Sequence, residues 1–375
     1  MEIYREKVGE NHQYYLNTII TVAKLYVDKD DNLKAEAYYK KAIEILGKLR
    51  GENNQDYATL LSSLAYIYVI TANYVEAEPL YQKIALIHRE VLGNSHVKYM
   101  ESLENLAQLY DKMGDYSKAV FYYEDILEII RKTVGENHRK SSLILHELAS
   151  LYDRKLGNYA KAEQYYIQSM NILKKINGTE DNTDYAVILS NLALMFVSKG
   201  EYDSAEPLYL RALEIMSATT GENNTTYARM AKDFANLYIA KKDYFQAYKY
   251  YEEALKVRHN VLGENHIDYG ISLNDLATVS FNLGQYDNAK GLYLNALEIY
   301  HKTIGENHPY VADLLTSLAR TYQKKSQYLL AEKNFLQALD AYRKLYGEKN
   351  KNIISSLTNL ARFYEDRSDL DNSVL

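Results

Sequence analysis

The chain has 375 residues, 47% of them apolar and 25% charged, with a formal net charge of −6. The absence of cysteine excludes disulfides, thiolate nucleophiles and Cys-ligated metals. An acidic balance without a basic stripe argues against nucleic acid as a partner. The N-terminus lacks the apolar core of a secretory signal, and no apolar run is long enough to span a bilayer. The expectation is a cytoplasmic protein with no membrane contact. Tyrosine is the outlier, at 39 residues against seven Phe and no Trp.

Along the chain a Gly, usually followed by Glu-Asn, recurs at Gly9, Gly51, Gly93, Gly135, Gly178, Gly221, Gly263, Gly305 and Gly347. The spacing is 42 residues, lengthened to 43 twice. One added residue lies in Asp153-Arg154-Lys155-Leu156-Gly157-Asn158 and the other in Gly178-Thr179-Glu180-Asp181-Asn182. Both fall in loops and leave helix phasing intact. A fixed period of this length marks a repeat architecture.

Each period carries two stretches with apolar residues at helical spacing. The first, helix A, reads Leu-x-x-Leu-Ala-x-x-Tyr, as in Leu61, Leu64, Ala65, Tyr68 and Leu103, Leu106, Ala107, Tyr110. The second, helix B, reads Tyr-x-x-Ala-x-x-x-Tyr, as in Tyr74, Ala77, Tyr81 and Tyr202, Ala205, Tyr209. The small Ala lets two backbones approach to about 8–10 Å while large neighbours fill the grooves. Each helix is expected to run roughly 16–18 residues. Turns such as Met113-Gly114-Asp115 separate A from B, with Gly suited to the left-handed conformation that ends a helix. Between B and the next A, Asn53, Asn137, Asn223, Asn265 and Asn307 are expected as N-caps, and Pro309 fits a first turn. Pro79 and Pro207 fall near the second turn of B, where a mild kink without a helix end is expected.

This pattern resembles the tetratricopeptide repeat, in the 42-residue form found in kinesin light chains and many bacterial proteins. The resemblance covers essentially the whole chain. It implies an all-α, right-handed solenoid of antiparallel helix hairpins, with about eight complete repeats. Residues 1–375 are read as one superhelical array: a partial repeat over 1–8, 42–43-residue repeats over 9–346, and an incomplete repeat over 347–375. Met1–Val8 aligns with the second half of a B helix, and Leu370-Asp371-Asn372 with the first turn of another. Without capping helices, either the chain is a segment of a longer protein or its ends are covered by a partner or by end-to-end self-association.

Four repeat columns hold 27 of the 39 tyrosines, so the rings read as core spacers whose hydroxyls reach loops or water. Five histidines (His12, His96, His138, His266 and His308) occupy one inter-repeat position. Copies a repeat apart cannot share a metal, whose ligands lie at about 2.0–2.2 Å, so they read as residues that cap or pack a helix start. No phosphate loop, dinucleotide fingerprint, nucleophile elbow or zinc-protease motif occurs. No catalysis, cofactor or metal is expected.

By the same resemblance, helix A lines a concave groove. Lys232 and Asn236 have the spacing of one half of a carboxylate clamp. The next repeats carry Asp275, Asp313 and Ser317 where Asn or basic residues are wanted, so a complete clamp is not expected. Kinesin-light-chain-like arrays place Asn before the Leu-Ala pair, matched here by Asn105, Asn191 and Asn359. Cationic candidates are Lys24, Lys112, Arg154, Lys232, Arg320, Lys324 and Arg362. Mixed with Glu101, Glu104, Asp111, Asp275 and Asp313, they suit a protein or peptide of mixed charge. The reading is a non-catalytic interaction scaffold. The alternative, also from the resemblance, is a regulatory module of a larger bacterial enzyme, a caspase-like protease or a nucleotide-binding signalling ATPase.

Overall fold

The computed structural model describes residues 6–7, 9–347 and 350–373, with side chains as far as residue 367. Contacts divide the chain into two compact units, one up to Glu180 and one from Asp181. The first holds α1 (Gln13–Asp28), α2 (Asn32–Arg50), α3 (Gln55–Ile70), α4 (Tyr74–Leu92), α5 (Val97–Met113), α6 (Tyr116–Thr133), α7 (Arg139–Arg154) and α8 (Tyr159–Asn177). The second holds α9 (Thr183–Lys199), α10 (Tyr202–Thr220), α11 (Thr225–Ala240), α12 (Tyr244–Leu262), α13 (Ile267–Asn282), α14 (Tyr286–Ile304), α15 (Pro309–Lys324), α16 (Tyr328–Tyr346) and α17 (Lys351–Ser373). Odd-numbered helices are A and even-numbered helices are B. Among the described residues there is no strand. The fold is an all-α solenoid of helix hairpins.

Within each unit a helix packs on its neighbours in sequence, A on B within a hairpin and B on the next A. Ala77, Ala107, Ala119, Ala277 and Ala289 are fully buried at the crossings, as close backbone approach requires. The expected helix over residues 1–8 lies outside the described residues except for Glu6 and Lys7, which are helical.

Three expectations are corrected. Helix A begins one residue later than expected, so the caps are not Asn53, Asn137, Asn223, Asn265 and Asn307 but Asn54, His138, Asn224, His266 and His308, with His12, His96 and Asn182 in the other copies. In all five His copies Nδ1 accepts the backbone N–H two residues on, at 3.1–3.2 Å. A neutral imidazole thus does the work of an Asn side chain.

The tyrosine hydroxyls are also more committed than expected. Near the ends of α3, α5 and α11, and at the same repeat position within α17, Tyr68, Tyr110, Tyr238 and Tyr364 donate to Glu36, Glu78, Glu206 and Glu332 on the preceding B helix, at 2.5–2.9 Å. Each bond ties one repeat to the one before it. Lastly, α17 runs helical straight through the position of the expected A–B turn. Arg367-Ser368-Asp369 carries no Gly, and among the described residues no helix packs back to repay a left-handed residue.

The other turns form as expected, with Gly114 and Gly200 left-handed. Asp30, Ala72, Lys242 and Ser326 also take positive φ in the turns that lack Gly. The Gly that ends a B helix has a different reason to be Gly: Gly263 lies at φ 80°, ψ 171°, a region closed to residues with a Cβ. Both α4 and α10 continue through Pro79 and Pro207. The carbonyls left without a donor belong to the exposed Val75 and Asp203, where water can serve them.

Candidate interaction face

In the second unit the A helices of successive repeats touch directly, α9 on α11 and α13 on α15, as expected of the inner side of a curved stack. Their outward residues therefore converge on one face. On α11 the helical spacing puts Lys232 and Asn236 on that face, but neither is left to itself. The Lys232 ammonium lies 2.7 Å from the Asp275 carboxylate on α13. The Asn236 side-chain oxygen accepts from the Tyr251 hydroxyl on α12. The acid that stands where a clamp would want Asn thus neutralises the clamp's own lysine.

Burial raises the Asp275 carboxyl above the ordinary carboxylate range, with Lys232 opposing. Burial likewise raises Asp233, opposed by Arg229 at 3.1 Å. On α15, Asp313 accepts from the Tyr342 hydroxyl. Arg320 and Lys324 are exposed on the same helix, and Arg362 is exposed on α17, where Asn359 is half-buried. Asn191 is half-buried on α9. The second unit's face is therefore a set of matched charges flanked by exposed cations.

In the first unit, Asn105 and Lys112 are exposed on α5, and Arg154 is exposed at the end of α7. Of these, Arg154 lines a cavity of about 380 Å³, together with Asp111 from α5, Tyr123 from α6, and Glu147 and Ser150 from α7. The Arg154 guanidinium donates to Ser150 Oγ. Burial raises the Glu147 carboxyl, Arg154 opposes, and Glu104 and Asp111 add to the rise. The Asp111 Oδ1 is buried with no hydrogen-bond partner among the described residues. Lys140 on α7 pairs with Glu104 on α5. The cavity can therefore take a cation against Asp111 and Glu147 and an anion against Arg154.

The part played by Tyr123, Ser150 and Lys140 was not singled out from sequence. Among the described residues no group of three or more metal-ligating side chains forms.

Family models described as tetratricopeptide repeat match residues 17–45 and, in overlapping segments, 56–374. The chain belongs to the tetratricopeptide-repeat family. Solved structures of such repeats are similar over long stretches. A kinesin light chain with nearly identical TPR-like repeats from Podospora anserina is 21% identical, covering 56% of this chain and 99% of that one, with a TM-score of 0.50. The apo form of the quorum sensor NprR from B. thuringiensis is 16% identical, covering 91% and 92%, with a TM-score of 0.55. A signal transduction ATPase with a tetratricopeptide repeat sensor from Pyrococcus horikoshii is 16% identical, with a TM-score of 0.52. That match covers 99% of this chain and 56% of the other. At these identities the likeness is one of fold. No curated protein matches the sequence. Among the described residues no helix of this repeat array is long and apolar enough to cross a membrane.

Proposed function

We propose that the array is a non-catalytic, cytoplasmic interaction scaffold that binds a peptide or helical segment of mixed charge along the exposed face of its A helices. The observation that carries this reading is the cavity between α5 and α7, where the unpartnered Asp111 oxygen and the Arg154 guanidinium offer both signs of charge within one concavity. A buried carboxylate oxygen without a donor is costly, and a lysine, arginine or amine from a partner would relieve it. Lys112 with Asn105 in the first unit, and Arg320, Lys324 and Arg362 with Asn191 and Asn359 in the second, would each guide an acidic stretch of a partner. Lys232 and Asn236 take part only if a partner displaces Asp275 and Tyr251.

The test is capture from source-cell lysate on the immobilised chain, eluted by stepwise salt. The recovered partner should then bind the Arg154→Glu/Arg320→Glu double variant at least tenfold more weakly. Equal binding to wild type and variant removes the A-helix face from consideration. A second reading, a sensor module within a larger signalling enzyme, is supported by the likeness to the Pyrococcus horikoshii protein, of which this chain spans just over half. Recovery of only longer products of the same gene would favour it.

A further inference from the structure

The third residue after the helix A N-cap is Tyr in six copies: Tyr15, Tyr57, Tyr99, Tyr185, Tyr227 and Tyr269. In α7 it is Ser141. The ring has a defined job elsewhere. Tyr15 and Tyr227 are buried between A and B helices. Tyr15 accepts a hydrogen bond from Lys41 at 2.9 Å, and Tyr227 donates to Glu253. Lys41 and Glu253 occupy the same position, the tenth residue of their B helices, α2 and α12.

One repeat before Ser141, Tyr99 stands between two separate clefts, of about 260 and 350 Å³, and lines both. At Ser141 the corresponding residues enclose a single cavity of about 450 Å³. The floor is Ser141 and Leu145, both buried, with the half-buried Leu127 and Ile172. The rim is exposed and polar. It includes Gln168, the tenth residue of α8 and so the counterpart of Lys41 and Glu253. Arg131 and Lys175 also stand on the rim, opposed there by Glu136 alone among acidic groups.

We infer that this cavity, on the B-helix side of the first unit, receives a tyrosine side chain from an acidic segment of a partner protein, which supplies in trans the ring that other repeats supply for themselves. The apolar floor accepts the ring, Gln168 meets the hydroxyl, and Arg131 and Lys175 face the flanking carboxylates. The exposed rim favours a ring presented by a chain over a free small molecule, which needs most of its surface enclosed. The site is separate from the A-helix face, so it stands or falls without that reading.

The experiment titrates the full chain with the capped peptide acetyl-Asp-Glu-Tyr-Asp-amide and follows binding by calorimetry. Ser141→Tyr should fill the cavity and weaken the peptide at least tenfold, while Ser141→Ala retains it. Replacing the peptide's Tyr by Ala should weaken binding to a similar degree. Should Ser141→Tyr fail to fold, the exposed Gln168→Leu serves instead, abolishing the preference for the Tyr peptide over its Phe analogue. Undiminished binding to Ser141→Tyr, or undiminished binding of the Ala peptide, overturns the inference. Binding of 4-hydroxyphenylacetate as tight as the peptide's overturns the chain-borne ring. Unchanged binding to the Arg154→Glu/Arg320→Glu variant is expected, since those residues line the other face.

Discussion

Tyr209 shows how a single side chain can fit its repeat in shape but not in chemistry. Its ring is fully buried on α10, near Phe234, yet its hydroxyl has no hydrogen-bond partner among the described residues. In the next two copies of the B-helix tyrosine, Tyr251 meets Asn236, and Tyr293 meets Thr278 at 3.1 Å. The corresponding helix A residue for Tyr209 is Leu194, which has nothing to offer. A buried hydroxyl left unpaired costs about 1–3 kcal/mol. Tyr209→Phe should therefore raise stability by about 1 kcal/mol, measured by urea unfolding, as the natural Phe335 in the same column suggests. A loss of stability would mean the hydroxyl is satisfied.

His88 is the other informative residue. Its Nδ1 lies 3.1 Å from the Lys98 carbonyl and 2.7 Å from Ser102 Oγ, and burial lowers its pKa below the ordinary imidazole value. The unfolded chain, with an imidazole near pKa 6.5, then takes up the proton first as pH falls. The resulting stability is fully present above about pH 6.5 and declines as pH drops toward the folded pKa. Urea midpoints at pH 7.5 and 5.5 should differ less in His88→Gln than in wild type. An equal pH effect in the two proteins would show that His88 does not contribute.

Between elements, α13 and α14 meet through a pair of choices that only make sense together. Gly270 lies inside α13, where Ala would ordinarily stabilise a helix by about 1 kcal/mol. A Cβ there would come within 2.9 Å of the Tyr300 ring and 3.1 Å of Ile299, and Tyr300 is buried with little room to move. Overpacking of this kind costs about 1–3 kcal/mol. Gly270→Ala should lower stability in calorimetric melting, and Tyr300→Leu in the same chain should recover part of the loss. Leu is already present at that position as Leu46 in α2 and Leu173 in α8. Additive effects of the two substitutions would rule out the steric pairing.

Such pairings explain what sequence could and could not reveal. The period, the two helices in each copy, and the left-handed turns at Gly114 and Gly200 follow from local chemistry and were legible. The N-cap histidines were legible as helix-start residues, though the cap was placed one residue early. The Tyr68–Glu36 type of bond was not, because its partners lie 32 residues apart on different repeats. Its trace is the Glu that follows the small Ala in Ala35-Glu36, Ala77-Glu78, Ala205-Glu206 and Ala331-Glu332.

At the level of the whole molecule, the same division governs the candidate sites. Exposure of Arg154, Lys112 and Arg320 on A helices could be inferred from helical phase. The neutralisation of Lys232 could not, since it depends on an acid 43 residues later. The cavity at Ser141 depends on the absence of a ring, which becomes meaningful only against the copies that have one. In both cases the repeat supplies its own control.

The longest hydrogen bonds described within either unit, Lys98 to Gln55 and Gln323 to Asp366, span 43 residues, about one period. A chain wired only to its neighbours closes small loops. Within each unit, a hairpin leaving the ribosome can therefore dock on the one already made before the next has been translated. Little apolar surface then waits exposed for a distant segment, which limits the openings for aggregation during synthesis.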